Sequence, residues 1–152
     1  MTAKIKMKDS LDLRHDIFNL SLQLDQQSLA NWAIRLAKRS LTMIGIDYHT
    51  IREVDEGITI HELWQINKAK VSDVRKASFA IHKLARETES ESKKTVLRVV
   101  GHAVASGHMK EHALVAADYA VKAVGLITSN NMSAITEERE WQLKELKIVS
   151  NI

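Results

Sequence analysis

Three histidines, His102, His108 and His112, fall inside an almost uninterrupted Ala/Val surface over residues 95–127. His108 and His112 stand at i, i+4, a spacing that puts two imidazoles on one helix face, where they can share a divalent metal. If the chain turns near Met109, His102 on the preceding arm comes within reach of the same region, and His82 from the helix before it completes a cluster. A zinc hydrolase of the H-E-x-x-H type needs a glutamate after the first histidine, and Met109 occupies that place. The first reading of the cluster is therefore structural: each imidazole donates to a carbonyl or carboxylate and pins the helices together. A metal site on His102, His108 and His112 is the second reading, and general acid/base work the third. Asp118 and Tyr119 are the expected hydrogen-bond partners, Tyr119 as a core ring with its hydroxyl at the edge. Arg75 and Arg86 lie three turns apart on one stripe and can bind an anion together, although ion pairs with Glu62, Asp73 or Glu87 are the simpler use. No glycine-rich phosphate loop and no recognisable nucleophilic serine or threonine occurs.

The elements that must position these residues are helical. Val96, Val99, Val100, Ala103, Val104 and Gly107 repeat at helical spacing with short side chains only, and Ala113, Ala116, Ala117, Ala120, Ala123, Val124 and Ile127 continue the pattern. A turn between Gly107 and Lys110 joins the two arms into a hairpin, and the second arm, apolar all round, is expected to be nearly buried. Upstream, a short first helix carries Leu11, Leu13, Ile17 and Leu20. Asp25 caps a second that stops at Gly45. Residues 48–56 add a segment broken by Gly57, Thr59 and Glu62 open a helix as a capping box, and Ser72 and Asp73 cap the next. Ser90 or Ser92 begins the first arm of the hairpin. Asn130 and Asn131 end the second, and Thr136 with Glu137 and Glu138 opens a last amphipathic helix with Trp141, Leu143, Leu146 and Ile148 inward. Trp32, Trp64 and Trp141 are packing anchors. The prediction is an all-α, single compact bundle of about six or seven helices around an Ala-rich hairpin, one domain over residues 1–152 with a loose leader over 1–9.

The chain has 152 residues, no proline and no cysteine, which leaves strands little support and removes disulfides and thiolate sites. Its 22 basic and 19 acidic residues are interspersed, giving a net charge of only +3. Nucleic-acid binding is disfavoured, because it needs a one-sided basic footprint. With no apolar stretch long enough for a membrane span, the chain reads as a soluble cytoplasmic protein.

The run from Arg98 through Gly101, His102, Ala103, Ala105, His108, His112 and Ala113, then Ala116, Ala117, Tyr119, Ala120, Lys122 and Ala123, resembles the signature of a bacterial family of small helical proteins classed as putative immunity proteins. Trp32, Trp64, Val71, Arg75, Ala77, His82, Ala85, Arg86 and the segment from Glu138 to Leu143 match further landmarks in order, so the similarity spans about residues 25–148. It departs at Ile46–Ile58 and at Ser106-Gly107, where Thr-Ala is commoner. The resemblance implies a non-catalytic module, without a cofactor, that binds and neutralises a cognate bacterial toxin by covering its functional surface. His82, His102, His108, His112, Arg75, Arg86, Arg98 and Tyr119 are the candidate binding residues. Since steering rewards opposite charge, a mildly basic chain fits an acidic or uncharged toxin better than a nuclease. The alternatives are a histidine-based metal protein or metal-dependent enzyme, and a helical module that self-associates.

Overall fold

Local capping rules set several of the helix boundaries. In a computed structural model describing residues 5–150, seven α-helices run Leu11–Ser21 (α1), Gln26–Met43 (α2), Arg52–Gln65 (α3), Val71–Arg86 (α4), Glu91–Ala105 (α5), His112–Thr128 (α6) and Met132–Ser150 (α7). Strands are absent among the described residues. The Asp25 carboxylate accepts from the Ser28 N–H at 2.8 Å, and the Ser90 hydroxyl accepts from the Lys93 N–H at 3.3 Å, so both expected caps form. Gly45 adopts φ 73° just past α2, the left-handed turn that a Cβ would oppose.

Three starts differ from expectation. Gly57 and Thr59 do not interrupt anything: α3 is continuous from Arg52, and Glu62 pairs outward with Lys38 at 3.3 Å instead of capping. The glycine is used for packing, since a Cβ there would stand 2.6 Å from the Ile81 Cδ1 of α4. Helix α4 begins before Ser72, and Asp73 caps from inside by accepting the Lys70 N–H at 3.0 Å. Helix α7 begins four residues before Thr136, because the Asn131 side chain accepts from the Ala134 N–H at 3.0 Å.

Helices α4, α5, α6 and α7 pack side by side in chain order, α2 lies across α5, α6 and α7, α3 covers α4, and α1 covers α7. The hairpin of α5 and α6 is thus central. Val96, Val99, Val100, Ala103 and Val104 of α5 and Ala113, Ala116 and Ala123 of α6 have no exposed surface. The expectation that α6 is nearly buried fails at its last turn, where Leu126 and Ile127 are 44% and 43% exposed. Trp32 is fully buried and donates its indole N–H to the Gln142 carbonyl at 2.9 Å, while Trp64 and Trp141 pack at the core's margin.

The buried stripe of α7 is Ile135, Glu138, Arg139, Gln142, Leu146 and Val149; of the apolar set read from the sequence, Leu146 lies in it and Trp141 and Leu143 pack against its edge. Ile148 is 42% exposed. A helix can bury charge only where partners meet it, and here they do. The Arg139 guanidinium, 1% exposed, donates to both oxygens of Asp9 at 2.8 Å, to Asp118 at 2.7 Å and to Gln142 at 2.9 Å. Arg14 then closes on Asp118 through two bonds of 3.0 and 2.9 Å. Of the expected leader, residues 1–4 lie outside the described residues. Residues 5–10 form no helix, yet Asp9 is fixed by Arg139 and Met7 packs against Val121, Val124 and Ile135.

Candidate functional site

Neighbouring faces of α4, α5 and α6 bring His82, Arg98, His102, His112 and Tyr119 together. Arg98 and His102 are one turn apart on α5 and so point the same way. An Arg98 Nη1 N–H donates to His82 Nδ1 at 2.8 Å. A guanidinium only donates, so His82 accepts at Nδ1 and carries its hydrogen on Nε2. The His82 ring lies directly on the backbone of Gly101: a Cβ at that position would meet Cε1, Nε2 and Nδ1 at 2.6, 2.7 and 2.9 Å. The glycine of the Gly-His-Ala run is therefore the floor under an imidazole.

From His82 the rings continue as a chain. His102 meets His82 edge to face, with centroids 4.6 Å apart, and stacks on Tyr119 at 5.3 Å and 12°. His102 Nδ1 faces His112 Nδ1 at 2.9 Å, so one of the two donates the single hydrogen between them. His108 extends the row beyond His112, with centroids 6.5 Å apart.

Burial holds these rings neutral. It pushes His102 down to about 3 and His82 to about 4, with the positive charge of neighbouring Arg98 adding to both. His112 is lowered as well, by burial and then by His108, against the opposing pull of Glu111. Neutrality is what lets two Nδ1 atoms share a hydrogen bond.

The expected structural role is filled differently. Neither His102 nor His112 donates to a carbonyl or carboxylate; each has the other as its partner. Asp118, expected to serve them, is turned to the far side of α6 and held by Arg14 and Arg139. The helix pin is His61, a residue the sequence reading passed over. Fully buried, it donates from Nδ1 to the Val104 carbonyl at 3.1 Å, which ties α3 to α5, and burial lowers it to about 4. Its isolated position among apolar residues of α3 was the available signal. For the buried ionic ladder the signal was Asp118, the one charge between Glu111 and Lys122 in an otherwise apolar helix.

The Nδ1 atoms of His102 and His112 are directed at each other, and among the described residues no three or more His, Asp or Glu side chains are placed to hold an ion. Arg75 and Arg86 are exposed on α4 and form none of the expected ion pairs. Arg75 lies over the Phe79 ring at 5.4 Å, Glu62 is taken by Lys38, and Asp73 accepts the Lys70 N–H. Arg86 contributes positive field at His82.

No helix among the described residues is long and apolar enough to cross a membrane. No curated protein and no solved structure gives a significant match to the chain. A family model matches residues 19–148, which takes in all of α2 to α6, the whole histidine face and most of α7. On that match the chain belongs to the family of Imm-5 like putative immunity proteins.

Proposed function

We propose that this protein neutralises a cognate protein toxin in the cytoplasm of the cell that carries both, by covering the toxin's functional surface with the α4–α5–α6 face. The carrying observation is the half-buried row of His82, His102, His112 and Tyr119 with Arg98 at its edge, held in one arrangement by ring contacts and by hydrogen bonds of 2.8 and 2.9 Å. Interfaces draw most of their energy from a few aromatic and arginine side chains, and residues already immobilised lose little entropy on binding.

Binding is favoured over catalysis by the same geometry. Imidazoles lowered to about 3 and about 4 are weak bases at neutral pH, and a general base works best near it. His102 and His112 also occupy each other's Nδ1, leaving that nitrogen no reacting proton to take.

The test is co-expression with each candidate toxin, beginning with the products of the neighbouring reading frames. Wild-type protein should preserve growth and co-purify with the toxin, and Tyr119→Ala with His112→Ala should abolish both while keeping the helical circular-dichroism spectrum. Survival conferred equally by the double variant would remove this face from the interface. Failure of the wild type to protect or bind would remove the function.

A further inference from the structure

We infer that Arg98 is an anion-receiving site, and that the surface bound by the α4–α5–α6 face presents an acidic side chain to it. Identifying the occupant as part of a toxin rests on the function proposed above; the site itself rests on Arg98 and its neighbours.

The chain pairs the other arginines that it draws even partly inward. Arg139 and Arg14 hold Asp9 and Asp118, Arg39 holds Glu138 at 2.9 Å, and Arg35 stands 3.8 Å from Glu145. Arg98 is half-buried like Arg35 and Arg39, but its partners are His82 Nδ1 at 2.8 Å and the His82 carbonyl at 3.5 Å, both uncharged acceptors. The nearest acid on its own helix stripe is already engaged: Glu91 pairs with Lys94 at 3.7 Å. A partly desolvated cation without a counter-ion gains most when an anion is supplied from outside.

Neighbouring chemistry suits a carboxylate. Both short contacts of Arg98 fall on one nitrogen, Nη1, so Nη2 and Nε keep free N–H groups, and a guanidinium fork matches the two oxygens of a carboxylate. His82 accepts at Nδ1, which leaves its Nε2 hydrogen as a further donor. Arg86 adds a second permanent positive charge near His82. A polyphosphate backbone would require a broader basic tract than a chain of net charge +3 with interspersed charges provides.

The experiment follows Arg98 and His82 side-chain nitrogens by NMR in the full chain, titrated with sodium acetate, with sodium chloride at matched ionic strength, and with inorganic phosphate. Saturable shifts at Arg98 and His82 with acetate, absent with chloride and lost in Arg98→Lys, are the expected result. No saturable acetate response, or a response to phosphate alone, would overturn the assignment. This arm needs no toxin, so it stands or falls apart from the proposed function. With the toxin in hand, Arg98→Gln, confirmed folded by its helical spectrum, should weaken the complex on the order of a hundred-fold. An unchanged Kd would overturn the acidic-partner reading.

Discussion

Gly101→Ala should change sign with the residue above it. In the native chain the new methyl would lie 2.6, 2.7 and 2.9 Å from three atoms of the His82 ring, and a ring held by Arg98 cannot swing aside as a flexible tip can. Overpacking of this kind costs about 1–3 kcal/mol, while replacing a helical glycine by alanine gains about 0.8–1.0 kcal/mol. The mid-range balance is a net loss of about 1 kcal/mol. In a His82→Ala background the obstruction is gone and only the helical gain remains, so the same substitution should stabilise by about 0.8–1.0 kcal/mol. The coupling between the two sites is then about 2 kcal/mol, within the range for residues in contact. Urea denaturation of the four proteins at neutral pH, followed by far-UV circular dichroism, measures each corner of the cycle. Equal destabilisation by Gly101→Ala in both backgrounds would refute the close stacking of imidazole on backbone. Gly57→Ala is the contrast: its methyl would be crowded only by the Ile81 Cδ1 at 2.6 Å, the movable end of a flexible side chain, with Val104 Cγ2 at an ordinary 3.5 Å, so its loss should be the smaller.

Other outcomes follow from the buried polar groups. Arg139→Met removes the cation that holds both oxygens of Asp9 and leaves Asp118 to Arg14 alone, and should cost about 3–5 kcal/mol in urea denaturation; a loss under about 1 kcal/mol would mean that the ladder is solvated. Asp9→Ala should cost about 1–3 kcal/mol although it lies outside every helix, and a neutral result would show that the leader does not dock. Acidification should destabilise the fold before the carboxylates titrate. His61 and His82 are held at about 4 and His102 at about 3, against an ordinary 6.5, so the unfolded chain takes up protons first. Stability is therefore complete above about pH 6.5 and is lost as pH falls toward 4, by about 1.4 kcal/mol per pH unit for each histidine protonated only when unfolded. Urea midpoints that stay level from pH 7 to 5 would contradict the neutral, buried state of these rings.

What could be read from the residues in order was whatever depends on near neighbours. The Asp25 and Ser90 caps, the Gly45 stop and the hairpin of α5 and α6 rest on interactions within a few residues, so local rules located them. The resemblance carried by the Gly-His-Ala run likewise identified the family, and the histidine face lies inside the matched span. Gly57 was misread as a breaker because a helical glycine and a terminating one look alike until the packing partner, here Ile81, is known.

By itself the sequence determined that the chain is helical, where the small-residue hairpin lies and which histidines crowd its turn, since helical periodicity and capping are properties of consecutive residues. Only the tertiary structure decided what those groups touch. It turned Asp118 away from the histidines and onto Arg14 and Arg139, at separations of 104 and 21 residues, and it brought Asp9 to Arg139 across 130. It also set His82 on the backbone of Gly101 and left Arg98 with uncharged partners. Charges can enter an interior only where opposite charges converge on them, and that convergence depends on how α1, α6 and α7 pack, which no local pattern encodes.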